Sequence, residues 1–219
     1  MNWQSWAYGA YRHLRNGLAA ILLFLSPLSA EEVTIAALGD SLTQGYGLPA
    51  DQGFVPQLEA WLQDQGADVK LINAGVSGDT TAGGLSRIAW TLTPDVDALI
   101  VALGGNDILR GIDPGVSRAN LDGILQIATE TGLPILLIGL DAPSDYGTDY
   151  ETAFEAMYPE LAKKYGILHH PNFLAALTAI DDQALVLTDY MQPDAIHPNA
   201  DGVSLIVQDI GPSVLALIE

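Results

Sequence analysis

The chain has 219 residues, 49% of them hydrophobic, with 27 Asp+Glu against 8 Lys+Arg and a formal net charge of −19. That length supports one substantial core rather than two domains, and so acidic a surface repels nucleic acid. With no cysteine, disulfides, thiolate zinc sites, iron–sulfur clusters and cysteine catalysis are all excluded.

Residues 1–30 read as a targeting segment. Arg12, His13 and Arg15 form a positive start with no acid in it, Gly17–Leu25 is apolar, and Ser26-Pro27-Leu28-Ser29-Ala30 offers small residues for cleavage after Ala30. The apolar stretch is short for a membrane span. The expected product is a periplasmic or secreted domain over 31–219 with no stable membrane insertion; retention as an N-terminal anchor is the alternative.

Beyond Ala30, strand-like runs alternate with amphipathic stretches. Val33–Leu38 predicts the first strand, and Gly39-Asp40-Ser41-Leu42 follows as a glycine-flanked turn. A helix over Phe54–Gln65 leads to a strand over Val69–Asn73 and the glycine-rich segment 73–79. A helix over Thr80–Trp90 leads to a strand over Ala98–Leu103 and Gly104-Gly105-Asn106-Asp107. A helix over Val116–Thr131, a strand over Ile135–Leu140, a loop over Asp141–Asp149 and a helix over Tyr150–Tyr165 come next. A strand over Ile167–His169 and a helix over Asp201–Ile218 complete the series. This β–α alternation predicts an α/β fold, a five-stranded parallel sheet covered on both faces. Its functional loops should gather beyond the carboxyl ends of the strands.

Ser41 at such a loop is a weak nucleophile until a base takes its proton. Beyond the targeting segment the histidines are His169, His170 and His197. His197 is the best base, because Asp194 stands three residues before it in a turn stiffened by Pro193 and Pro198. A carboxylate there can accept the Nδ1 proton and leave Nε2 facing the serine. The tetrahedral intermediate also needs donors. The Ser41 N–H, the Gly75 N–H and the Asn106 side chain are the expected set.

Other residues have quieter readings. Asp40 braces the turn. Asp79 and Asp107 cap turns or helices rather than bind a metal, since no histidine lies near them. His169-His170 is structural. Arg87 and Arg110 pair with surplus carboxylates, with an anionic head group as a weaker role for Arg110.

These blocks resemble the GDSL or SGNH hydrolases: Gly39-Asp40-Ser41-Leu42, Gly75 in 73–81, Asn106 in 104–107, and Asp194 with His197. The blocks occur in the family's order and span nearly the whole mature chain. The runs 103–111, 84–87 and 146–159 resemble the thioesterase I, lysophospholipase and arylesterase branch. The resemblance implies a three-layer α/β/α, flavodoxin-like domain without cofactor, expected to be a monomer. It also implies a substrate drawn from small-molecule aryl esters, acyl thioesters and lysophospholipids. Ala195 stands where Gly is more usual and is expected only to stiffen the turn. Loop position suggests that Leu109, Ile112, Pro143 and Tyr146 line the acyl chain. A carbohydrate O-acetyl esterase and a non-catalytic acyl-lipid-binding protein are the competing readings. The first is disfavoured because Trp61 and Trp90 both fall in predicted helices.

Overall fold

Five parallel strands form the centre of the computed structural model, which describes residues 32–219. They are β1 (Val33–Gly39), β2 (Val69–Gly75), β3 (Ala98–Ala102), β4 (Ile135–Ile138) and β5 (Leu168–His170), in spatial order β2-β1-β3-β4-β5. From β1 the chain steps outward to β2, then returns past β1 to lay down β3. The winding direction therefore reverses between β1 and β3, and a crevice opens beyond their carboxyl ends.

The elements between and after the strands are α1 (Ser41–Gln44), α2 (Phe54–Asp64), α3 (Thr81–Thr91), α4 (Gly105–Leu109), α5 (Pro114–Glu130), α6 (Thr148–Tyr165), α7 (Ala175–Thr178), α8 (Gln183–Leu185) and α9 (Ala200–Ile218). On one face α3 packs on α5 and α5 on α6; on the other α2 packs on α9. The sheet is thus covered twice, and its inner strands are apolar on both sides, with Ile35–Leu38 and Ala98–Val101 almost wholly buried. The edge strand β2 exposes Lys70 and Asn73.

Helices α3, α5 and α9 begin where a side chain caps them. Thr80 accepts the Gly83 N–H, Asp113 accepts the Gly115 N–H with Pro114 behind it, and Asn199 accepts the Asp201 and Gly202 N–H groups. Capping by Asp113 is why α5 starts two residues before the expected Val116. Helix α9 is apolar and long enough to cross a membrane. It instead buries Val203, Ile206, Val207, Ile210, Val214 and Leu217 in the core.

Some expectations shift. The strand ladders end at Ala102 and Ile138, although Leu103 and Leu140 stay buried. The last strand runs Leu168–His170 rather than Ile167–His169, so His170 also lies within β5. Helices α1, α4, α7 and α8 are too short to leave a 3.6-residue pattern. The expected targeting segment, residues 1–30, lies outside the described residues.

Candidate active site

At the end of β1 the chain makes a sharp turn into α1. Asp40 caps it: its Oδ1 accepts the Leu42 N–H at 3.0 Å, and its carbonyl accepts the Gln44 N–H at 2.9 Å. Gly45, at φ 84°, closes the helix in the left-handed region. Ser41 is therefore the first residue of a one-turn helix at the sheet's rim. The turn sits so low that a Cβ on Gly39 would overlap the Thr43 side chain, and one on Gly75 would overlap the Gln44 backbone. Only glycine admits that approach.

The second element is the loop before α9. The Met191↔Pro198 bridge and the Gln192 N–H bond to the His197 carbonyl (2.8 Å) close it into a narrow turn. Within the turn Asp194 Oδ1 accepts the Ile196 and His197 N–H groups, each at 3.0 Å. Asp194 Oδ2 lies 2.7 Å from His197 Nδ1, and His197 Nε2 lies 2.8 Å from Ser41 Oγ. The carboxylate accepts from Nδ1–H, which leaves the Nε2 lone pair for the serine hydroxyl. The His197 N–H, followed by the imidazole and the Ile196 N–H, pulls the Asp194 carboxyl down to about 2. Gln192 Nε2 donates to Tyr46 O at 2.7 Å and Pro198 O at 3.0 Å. This fastens the histidine turn to the segment after α1. The Tyr46 ring lies 4.7 Å from the imidazole, centroid to centroid.

The third element is α4, which follows β3. Asn106 Nδ2 lies 3.4 Å from Asp40 Oδ2. The next residue, Asp107, is fully buried and accepts from the Thr81 N–H (2.8 Å), Thr81 Oγ1 (2.6 Å) and Ser117 Oγ (2.7 Å). It thereby fixes α4 against the starts of α3 and α5.

A serine, histidine and aspartate in one hydrogen-bonded line, with an asparagine amide beside them, is an acyl-transfer geometry. Residues 37–205 match the GDSL-like lipase/acylhydrolase family. The chain belongs to that family. It is 34% identical to Esterase TesA of Pseudomonas aeruginosa over 206 residues, 94% of this chain and 98% of that protein. It is 32% identical to Thioesterase 1/protease 1/lysophospholipase L1 of Escherichia coli K12 over 198 residues, 90% of each. The crystal structure of AlinE4, an SGNH-hydrolase family esterase, superposes with a TM-score of 0.69 at 41% identity, covering 87% of this chain and 98% of that one. The chain is an ester hydrolase of this family.

Ser41, Asp194, His197 and Asn106 come together as the sequence predicts. Gly75 does not present its N–H to Ser41. Successive N–H groups of a strand point to opposite sides. The Val76 N–H reaches inward to Gly39 O at 3.0 Å. The Gly75 N–H therefore points to the open edge, where Asn73 Oδ1 accepts it at 3.0 Å. The contribution of Gly75 is the close approach of α1. Gly78 is the glycine that sequence reasoning missed. It occupies a turn closed by the Asp79 N–H to Val76 O bond (3.0 Å), at φ 85°, and its N–H meets no acceptor among the described residues. Two side chains hold this turn: Ser77 Oγ lies 2.8 Å from Gln44 Oε1, and Arg110 Nη2 donates to Gly78 O at 2.7 Å. The signal available in the sequence was the turn composition Val76-Ser77-Gly78-Asp79 itself.

Arg87 does more than meet a carboxylate. It donates to Asp79 Oδ2 (2.6 Å), Ala74 O (2.6 Å) and Gly39 O (2.8 Å), so one guanidinium joins the ends of β1 and β2 to the turn. Arg110, expected to pair with an acid, instead holds the Gly78 carbonyl. His170 is buried between β5 and α9, with Ser213 Oγ at 3.2 Å and Asp209 Oδ2 at 3.3 Å. Of the expected acyl-lining residues, Leu109, Pro143 and Tyr146 are exposed and Ile112 is half-buried. The Tyr146 hydroxyl donates to Ile108 O (2.8 Å) and that of Tyr150 to Ile112 O (3.0 Å), stitching this loop pair together. An apolar recess not foreseen from sequence runs under α1 on the imidazole side, walled by Leu42, Leu48, Phe54, Phe173 and Val203.

Ala195 is more than a stiffener. At φ 55° it is the single non-glycine with positive φ among the described residues. A left-handed L-residue costs about 1–2 kcal/mol, while glycine costs about 0.5–1 kcal/mol in chain entropy. Ala195→Gly should therefore raise stability slightly, by about 0.5 kcal/mol, and Ala195→Val should lower it by about 1–2 kcal/mol, both read by urea denaturation.

Asp40 is also costly. Burial raises its carboxyl to about 6, against the opposing pull of the Leu42 N–H and Asn106. A folded-state value above the unfolded 3.8 means that ionisation opposes folding. The cost is full above about pH 6 and fades as pH falls toward 3.8. Asp40→Asn should raise the unfolding free energy at pH 7 by up to about 3 kcal/mol. In urea titrations that gain should shrink steadily between pH 6 and pH 4.

Proposed function

We propose that the chain hydrolyses carboxylic esters and thioesters of small acyl substrates through an acyl-enzyme on Ser41. The observation that carries this reading is the continuous line Asp194 Oδ2–His197 Nδ1 at 2.7 Å and His197 Nε2–Ser41 Oγ at 2.8 Å. His197 takes the Ser41 proton as the oxygen attacks the acyl carbonyl carbon, and Asp194 holds the imidazolium that forms. The carbonyl electrons move onto oxygen. The Ser41 N–H, the Gly78 N–H and the Asn106 amide receive that charge. As the tetrahedral intermediate collapses, His197 returns the proton to the departing alcohol or thiol. Water, activated by the same imidazole, then attacks the acyl-serine and releases the carboxylic acid.

The relatives' names, esterase and thioesterase/lysophospholipase, support this substrate range. The acyl chain lies along Leu109, Ile112, Pro143 and Tyr146, of which all but the half-buried Ile112 are exposed, and Tyr146 is joined to the helix of Asn106 through Ile108 O. No cofactor takes part in these steps. A sugar ester is the less favoured substrate: Trp61 lies across Gly211 of α9, and Trp90 stands at the end of α3 remote from the rim. The pattern of residues 1–30 supports export to the periplasm or beyond, and a monomer suffices for every step.

Steady-state rates on p-nitrophenyl esters, acyl-CoAs and lysophospholipids test the proposal. Ser41→Ala should lower kcat on every accepted substrate by roughly 10^4–10^6-fold, and Asn106→Ala by roughly 10^2–10^3-fold. Leu109→Trp or Ile112→Trp should shift the preferred acyl length. An unchanged length profile would remove the acyl assignment, and full activity in Ser41→Ala would remove the nucleophile.

A further inference from the structure

Asp40 is a charged group in a place where a neutral one would serve its obvious role. The Leu42 N–H needs only a cap, and Asn or Ser caps as well as Asp does. Yet Asp40 is 2% exposed, and no lysine or arginine among the described residues forms an ion pair with it. A buried carboxylate without a cation lowers stability. It also stands beside an oxygen on which negative charge must grow, so by simple Coulomb reasoning it should slow the reaction. Its persistence there calls for a compensating task.

The free oxygen shows that task. Oδ1 is taken by Leu42, while Oδ2 faces Asn106 Nδ2 at 3.4 Å. A side-chain amide can sit in its site in two orientations that exchange N for O. In one, Asn106 offers an N–H to the oxyanion; in the other it offers a carbonyl oxygen, which repels it. An ionised carboxylate accepts only. Placed against one end of the amide, it admits the NH2 group and rejects the oxygen. A neutral acid or an amide at position 40 can also donate, and so admits both orientations.

We infer that Asp40 is the positioning residue for Asn106: its carboxylate fixes the amide with nitrogen toward the oxyanion, and so converts a two-way side chain into a dedicated donor. This rests on the reading of Asn106 as an oxyanion donor in ester hydrolysis. The charged and titratable groups facing Asp40 are His197 from the loop before α9, Asp107 from α4 and Tyr158 from α6. None is a fixed cation. Protonation of Asp40, with its carboxyl raised to about 6 by burial, turns the acceptor into a partial donor and releases the amide.

A double-mutant cycle on kcat/KM with p-nitrophenyl acetate tests this. Asp40→Asn keeps the Leu42 cap. It should lower kcat/KM about 10–100-fold in the wild-type background and less than about twofold once Asn106 is Ala. A second arm needs no change at Asp40: the ratio of wild-type to Asn106→Ala kcat/KM should fall as pH drops through about 6, because only the wild type has an amide for the Asp40 carboxylate to hold. Equal losses from Asp40→Asn in both backgrounds, a loss below twofold in the wild type, or a ratio flat from pH 5 to 8 would each overturn the inference. If Ser41→Ala or Asn106→Ala is itself fully active, the hydrolytic reading fails instead, so the two failures are distinguishable.

Discussion

Two parallel strands that lie side by side must end at the same edge of the sheet. Here those strands are β1 and β3, and the chain visits β2 between them. The residues that leave them, Asp40-Ser41 and Asn106-Asp107, are therefore neighbours in space though they lie 66 residues apart in sequence. Everything else at the site is fitted around that adjacency. The α1 turn can drop onto the sheet because Gly39 and Gly75 have no side chains to meet it. Arg87 locks the ends of β1 and β2 through their carbonyls. The histidine arrives from the far end of the chain, carried on a turn anchored to Tyr46 and to the start of α9.

Stability is spent at two points near the serine. Ala195 holds a left-handed conformation inside the Asp194–His197 turn, and Asp40 holds a carboxylate in the core. Strain and buried charge of this kind persist where the surrounding structure enforces them. At Ala195 the return is a turn tight enough for Asp194 to accept two backbone N–H groups and still meet the imidazole. At Asp40 it is an acceptor that cannot donate. The rest of the fold is well equipped to carry these costs, since its inner strands are buried on both faces.

The strand–helix alternation was legible because doubly buried strands leave unbroken runs such as Ala98-Leu99-Ile100-Val101, and long helices leave amphipathic ones. Ser41, His197 and Asp194 were legible as a candidate set for a similar reason: a nucleophile, base and orienting acid demand residue types at fixed local spacing, as in Asp194 and His197. What stayed hidden depends on direction rather than on type. Gly75 and Gly78 look alike in sequence, and only the alternation of N–H groups along β2 separates the one that turns outward from the one left free. Arg87 reads as one cation among many acids until the fold brings two carbonyls to it. The short helices α1 and α4, which aim Ser41 and Asn106, span too few residues for any periodic signal. Ala195 was visible as a departure from the family pattern, but its φ came only from the turn's geometry.

Hydrolysis as proposed requires Ser41 to be the nucleophile and His197 to make it one. Reaction with a fluorophosphonate, followed by peptide mass spectrometry, tests it most directly. A single phosphonyl adduct is expected on the peptide carrying Ser41, absent in Ser41→Ala and formed far more slowly in His197→Ala. An adduct on another residue, or labelling of Ser41 at an undiminished rate without His197, would contradict it.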